Sequence, residues 1–394
     1  MENIKIGVIG IGNMGSGHSK KIFTGNIPGL ELAAVADRNP VRRDWAKENL
    51  CADIPVFCEG EELIKSGLVQ AVIVATPHYD HPPLTISAFK AGLHVMCEKP
   101  AGVYVKQVRE MNEAADKYGK VFGMMFNMRT NSHYRKMHEI VHSGRLGAIK
   151  RINWIVTNWY RTQSYYDSGE WRATWNGEGG GVLLNQCPHN LDLLQWICGM
   201  PNKVRAFCHN GKWHNIEVED DVTAYFEYPA VGNGTGATGT FITSTADAPG
   251  TNRFEIALEK GKLLIENGKA LICEELDINE REFCMTAKGG FDQPPKKVYE
   301  VETDGANEGH TGVLKAFAGS IMNGTPLVAD GREGIHGLTL SNAMHLSGWL
   351  DKTVSLPIDD DLFLEELNKR RAASGQKTGS GKVFETGSSY NSGS

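Results

Sequence analysis

The chain has 394 residues, 41% hydrophobic and 22% charged, with a formal net charge of −6 and acids and bases interspersed. That length suits two domains with substantial cores, and the charge balance excludes the basic footprint of a nucleic-acid binder or a membrane-surface patch. Eight cysteines with no CxxC pair point to reduced, core-type thiols and a cytoplasmic protein. No run reaches the ~18 apolar residues of a membrane span, and the N-terminus enters a strand pattern with no leader signature.

The first expected strand, KIGVIGI (5–11), runs into Gly10-x-Gly12-x-x-Gly15, with Asn13 and Met14 inside the motif and a helical stretch after it. A glycine pattern between strand and helix is the arrangement that cradles a dinucleotide. Gly10 permits the tight turn, Gly12 admits a pyrophosphate to the backbone, and Gly15 lets helix and strand pack closely. The helix N-terminus offers unpaired N–H groups to the phosphates. The second strand, ELAAVAD (31–37), ends on Asp37, where an acid meets the adenosine ribose hydroxyls and repels a 2′-phosphate, so NAD is preferred to NADP. Arg38, next in line, is placed to stack on adenine or to meet that extra phosphate, which keeps NADP as the lesser choice.

AVIVATP (71–77), HVMCEKP (94–100) and VFGMMFN (121–127) read as further strands, with helices over 82–91 and 104–118 between them. Strands alternating with helices of ten or more residues predict βαβ units on a parallel, doubly wound sheet, here spanning residues 1–128. From 129 to 373 the texture changes. A helix over 131–143 leads into the alternating run 149–160, several short strands separated by Gly/Asn turns, and helical stretches near 310 and 334. That pattern predicts an α+β domain with an open, mainly antiparallel sheet. Residues 374–394 are rich in Gly, Ser and Thr and read as a mobile tail, in which Val383, Phe384 and Tyr390 offer side chains for docking.

Two short stretches carry candidate chemistry. CEKP (97–100) places Glu98 and Lys99 at the carboxyl end of a parallel strand, the edge where open α/β sheets bind ligands. A lysine there either loses its proton on burial or stays charged and polarises a carbonyl; taken alone, a lysine before a proline is more often a solvated loop residue. GGGVLLNQCPHNLD (179–192) puts His189 near the start of the helical pattern PHNLDLLQWICG, where a lone histidine is usually structural. His310 opens the late helix and is placed equally for substrate contact or for capping. CHNGKWH (208–214) lacks a fourth convincing ligand, so no metal is assigned.

Taken in order, GxGxxG, the acid ending strand two, ATPHYDH, CEKP and WR…GGGVLLNQCPHNLD resemble the Gfo/Idh/MocA oxidoreductases, the glucose–fructose oxidoreductase and inositol dehydrogenase family, from the first strand to about residue 355. The resemblance implies a Rossmann domain, a second α/β domain with an open antiparallel sheet, and NAD(P)-dependent hydride transfer on sugars or cyclitols. By position it implies that Gly10, Gly12 and Gly15 hold the pyrophosphate and Asp37 the ribose. Thr76, Pro77 and His81 fall on the third cofactor loop, and Asn127 lies near the nicotinamide. Glu98 and Lys99 match EKP, whose lysine lies between nicotinamide and substrate. Trp171 and Arg172 match a WR pair brought to the cofactor, and His189 matches the acid/base histidine.

The departure is Asn185, where many relatives have Asp. An amide contributes no charge to raise the histidine's pKa but can still bond substrate hydroxyls. His189 is therefore expected to work nearer neutral, with Lys99 as electrostatic partner, and Asp192 is a lesser candidate for orienting the ring. The aromatic run NWYRTQSYYDSGEWRATW (158–175) suggests a loop for a pyranoside, with Tyr160, Arg172, Asn185 and His310 joining Lys99 and His189 at the substrate. A glucoside or related pyranoside is the leading expectation, and the family resemblance alone suggests C3 as the carbon oxidised. The alternatives are an inositol dehydrogenase, a glycosidase or sugar–sugar oxidoreductase that keeps its NAD bound, and a nucleotide-binding regulator without turnover. The open sheet face predicts a homo-oligomer, dimer or tetramer.

Overall fold

Strand β1 (Ile4–Ile9) buries every residue but Lys5, as a strand covered on both faces requires. In the computed structural model, which describes residues 3–230, 236–375 and 377, it is followed by α1 (Asn13–Phe23), β2 (Leu30–Ala36), α2 (Pro40–Asn49), β3 (Val56–Phe57), α3 (Gly60–Lys65) and β4 (Ala71–Val74). Then come α4 (His81–Lys90), β5 (His94–Cys97), α5 (Val105–Tyr118) and β6 (Phe122–Met124). The strand order is β3-β2-β1-β4-β5-β6, with every pairing parallel. The order reverses between β1 and β4, which opens a crevice at the carboxyl ends of these strands.

The chain continues through α6 (Ser132–His142), β7 (Ile149–Val156), α7 (Gln163–Tyr166), α8 (Pro188–Cys198), β8 (Lys203–Asn210), β9 (Glu219–Glu227), β10 (Thr238–Ser244) and β11 (Asn252–Leu258). It ends with β12 (Gly261–Glu266), β13 (Leu271–Leu276), α9 (Glu280–Thr286), β14 (Lys296–Glu300), α10 (Gly309–Asn323), α11 (Gly334–Leu350), β15 (Val354–Ser355) and α12 (Asp360–Ala373). The second sheet runs β14-β13-β12-β11-β7-β10-β9-β8-β15. It is antiparallel except at β7–β10, which pair in parallel. Alternation is clean: Phe254, Ile256, Leu263 and Ile265 are buried, whereas Phe207 and Tyr225 on the other face are exposed.

The alternating run expected over 149–160 stops as a strand at Val156. The helix α12 and the short strand β3 carry too little periodicity to be anticipated. A larger departure concerns α10, which falls inside the 129–373 unit expected from the sequence. Its Val313, Leu314 and Phe317 pack with Ile6, Val8 and Leu30 on the first sheet. Just after α10 the chain still touches that sheet: Gly123 bridges to Asp330 and Met124 N–H donates to the Ala329 carbonyl.

Candidate active site

The crevice at the end of β1 is shaped by glycine. Gly10 has φ +85°, and a Cβ there would lie 2.6 Å from the Ala75 carbonyl oxygen. A Cβ on Gly15 would lie 1.8 Å from Gly10 O, so α1 can approach β1 only without a side chain. Gly12, by contrast, faces open space at the N-terminus of α1, which has neither a side-chain cap nor an acid in its first turn. That bare helix end suits a pyrophosphate. Asp37 is fixed by two backbone donors, Ile11 N–H and Asn39 N–H, each at 2.8 Å. Arg38 donates to Glu59 at 2.8 Å and is 72% exposed.

Gly10, Gly12, Asp37 and Arg38, with Asn13 and Met14, line a cleft of about 590 Å³. Its wall continues through Thr76, Pro77 and His81 after β4, through Glu98 and Lys99 after β5, and through Trp171, Arg172 and Asn185 from the second unit. The Thr76 hydroxyl is buried without a partner among the described residues, as an unmet ligand contact would leave it. His81 lies between the Pro100 and Thr76 carbonyls at 2.7 and 2.8 Å, pinning the loops after β4 and β5 together. The wall therefore fits NAD.

Glu98 is buried, accepting from His18 Nε2–H at 2.7 Å and from Lys99 N–H at 3.2 Å. Burial pushes its pKa up, but the His18 bond and neighbouring cations outweigh it and hold it at about 2. Lys99 Nζ donates to the Asn185 carbonyl at 2.8 Å. Burial depresses the ammonium's pKa, opposed by Glu98. His310, at the start of α10, packs its ring 5.5 Å from that of His18, and burial lowers it to about 4. It thus stands beside the Glu98–His18 pair, on a helix of the first sheet, and does not line the cleft.

The opposite wall is built by the segment before α8. The buried Glu219 carboxylate accepts from Gly181 N–H at 2.9 Å and Leu183 N–H at 3.0 Å, and a Cβ on Gly181 would meet Glu219 O at 1.9 Å. This holds 179–187 flat against β9. Arg172 donates to the Tyr165 hydroxyl at 2.8 Å and lies over the Tyr165 and Trp171 rings. His78 Nδ1–H donates to the Glu178 carbonyl at 3.0 Å, with Trp171 edge-on to its ring.

His189 is the second residue of α8. Burial drives its pKa well below 6.5, helped by the Lys99 ammonium, and a helix N-terminus also disfavours the cation. The ring is neutral, with Nδ1 buried and unpartnered among the described residues. It lies within the field of Lys99 without lining the cleft itself. Asp192 does not orient it. Arg129 takes that carboxylate in a bidentate grip at 2.8 and 2.6 Å and donates to Glu333 at 2.6 Å.

Other expected residues are placed elsewhere. Tyr160 is 50% exposed and off the cleft wall. Asn127 sits in the turn after β6, its Oδ1 buried without a partner among the described residues. Much of the aromatic run is core: Trp154 stacks on Phe254, Trp159 bonds Asn190, Tyr166 bonds Thr245, and Trp175 packs on His345 and Trp349. CHNGKWH forms a hairpin turn in which His214 is held by Asp220 and the Arg161 carbonyl, both at 3.0 Å. Among the described residues no three metal-ligating side chains gather, and no helix is long and apolar enough to cross a membrane. Ser374 and Lys377 reach back to Glu217 and to the Tyr166 and Arg172 carbonyls; Val383, Phe384 and Tyr390 lie outside the described residues. Sequence reasoning missed His78 and Glu178 at the site. Only the place of Glu178, directly before three glycines, offered a signal.

Residues 4–126 match the oxidoreductase family with an NAD-binding Rossmann fold, and residues 134–264 match the Gfo/Idh/MocA C-terminal domain. The inositol 2-dehydrogenase of Rubrobacter xylanophilus is 31% identical over 199 residues, 50% of this chain and 52% of that protein. The chain spans about half the length of several curated relatives it matches. The myo-inositol 2-dehydrogenase of Thermotoga maritima aligns further, 24% identical over 86% of this chain and 95% of its own. In fold, the chain is similar to the WlbA dehydrogenase of Bordetella pertussis, solved with NADH and UDP-GlcNAcA: TM-score 0.75, 24% identity, 91% of this chain and 100% of that one. Two matched domains in their expected order, on the fold and cleft described above, make this chain a member of the Gfo/Idh/MocA family of NAD-binding oxidoreductases.

Proposed function

We propose that the chain oxidises a secondary hydroxyl of a sugar, glycoside or cyclitol, with His189 as acid/base and Lys99 as electrostatic partner. The observation that carries this reading is Lys99: it projects from the NAD cleft, reaches the second unit at the Asn185 carbonyl, and shares its field with a neutral, half-buried imidazole. Bound NAD supplies the hydride acceptor. A neutral His189 is ready to take the hydroxyl proton on a ring nitrogen, and Lys99 stabilises the oxygen as charge grows on it. Partial burial of both groups limits the water that would weaken that field. Reduction runs the same proton transfer in reverse. Curated relatives named inositol 2-dehydrogenase and a fold neighbour holding a nucleotide sugar support the polyol class; a pyranoside oxidised at C3 is the first substrate to try.

A panel of pyranosides, inositols and free sugars with NAD and with NADP, read by absorbance and by product analysis, tests the reading. Lys99→Ala and His189→Ala should each lower turnover by about two or more orders of magnitude while NADH still binds. Near-parent rates in either variant would refute the roles. Retention of cofactor between half-reactions is a second reading, favoured because Trp171 and Arg172 share the cleft wall with Gly12. Product formed without free NADH would establish it. The exposed Phe207 and Tyr225 on the open sheet face support self-association, which sedimentation of the intact chain would measure.

A further inference from the structure

The side chain of Asn185 is held in one orientation. It is 8% exposed and lines the cleft. Its amide nitrogen donates to Glu178 Oε1 and, at 3.3 Å, to the Tyr165 hydroxyl. Its Oδ1 has no partner among the described residues. The other Glu178 oxygen, Oε2, accepts from Ala173 N–H at 2.5 Å, so both carboxylate oxygens of a residue only 1% exposed are committed as acceptors. Turning the amide over would set Oδ1 against that carboxylate and the tyrosine oxygen, and would leave a buried NH₂ unpaired. Burial pushes the Glu178 pKa up, opposed by Arg172 and the two donors, which favour the anion.

We propose that Glu178 is a positioning residue: it fixes the Asn185 amide with Oδ1 presented to the cleft, so that position 185 offers a substrate a hydrogen-bond acceptor and selects a hydroxyl donor there. The Glu178 carboxylate lies behind the cleft wall, where it sets the direction of a hydrogen bond. This inference rests on the sugar-oxidation reading, and two readouts separate them.

Glu178→Gln cannot accept at both ends, because its NH₂ must face either Ala173 N–H or the Asn185 amide. Asn185→Asp sets two carboxylates against each other. The double variant Glu178→Gln/Asn185→Asp restores the match: the introduced glutamine accepts from Ala173 N–H and donates to the introduced aspartate. Using myo-inositol and methyl β-D-glucopyranoside as probes with the full chain, Glu178→Gln should raise KM at least about tenfold with kcat changed by less than about threefold. The double variant should return KM to within about threefold of the parent. The melting midpoint should show the same pattern, each single variant lower and the double recovered. Single-variant losses that merely add in the double, or an unmoved KM in Glu178→Gln, overturn the proposal. Midpoints that recover while the parent oxidises neither probe sink the sugar reading and uphold the fixed amide.

Discussion

Replacing Arg129 by Met would test whether the first turn of α8 is held from below. The guanidinium is 2% exposed and its partner Asp192 1%; it also grips Glu333 and lies over the Trp196 ring. Arg129→Met keeps most of the side-chain volume but leaves Asp192 buried without its cation, beside a second carboxylate. Breaking one side of a buried pair costs about 3–5 kcal/mol. At about 2–4 °C per kcal/mol for units of this size, the midpoint should fall by on the order of 10 °C. Burial already pushes the Asp192 pKa up, with Arg129 holding it back; without the guanidinium it rises further. The folded variant then binds a proton that the unfolded chain has released, so its deficit is full above the folded pKa and shrinks as pH falls. Urea denaturation at several pH values measures this. Arg129→Met/Asp192→Leu should regain most of the loss, because no unpaired charge remains. A single variant within about 1 kcal/mol of the parent, or a double variant no better than the single, would refute the reasoning.

Gly15→Ala should abolish NADH binding, read by fluorescence, since its Cβ would fall 1.8 Å from Gly10 O; retained affinity would contradict the close packing of α1 on β1. Because the His189 pKa lies well below 6.5, the base form persists as pH falls, and kcat/KM for oxidation should stay level from about pH 8 down to 6.5. An inflection at or above 6.5 would show a different base or a charged ring. Asp37→Ser should narrow the preference for NAD over NADP, compared by their dissociation constants, because the carboxylate that repels a 2′-phosphate is gone; an unchanged ratio would assign the selection elsewhere. Truncation after Ala373 removes the Ser374 and Lys377 contacts to Glu217, Tyr166 and Arg172. It should raise KM more than it lowers kcat, and equal loss of both would argue against a positioning role.

The parts legible in the sequence are those whose requirement is local. Gly10, Gly12 and Gly15 are demanded by a turn and a bare helix end, and Asp37 by the end of the next strand, and the structure finds each in that setting. CEKP is legible because a parallel strand has one functional end. The aromatic run misleads because burial is decided by distant partners: Trp154 belongs to Phe254 and Asn252, which no pattern near residue 154 announces. Asp192 misleads for the same reason, its arginine standing 63 residues away. Glu178 and Tyr165 act only once the segment folds back on Asn185, and α10 joins the first sheet through side chains that read as an ordinary amphipathic stripe.

The return of the chain through α10 and Ala329 to the first sheet has a mechanical consequence. The polypeptide crosses between the two sheets near residue 130, again before α10, and a third time before α11. Three straps at one boundary leave little freedom for the halves to swing apart like a jaw. The cleft wall carried by Trp171 and Arg172 is thereby held in register with the nucleotide edge of the first sheet by three covalent crossings.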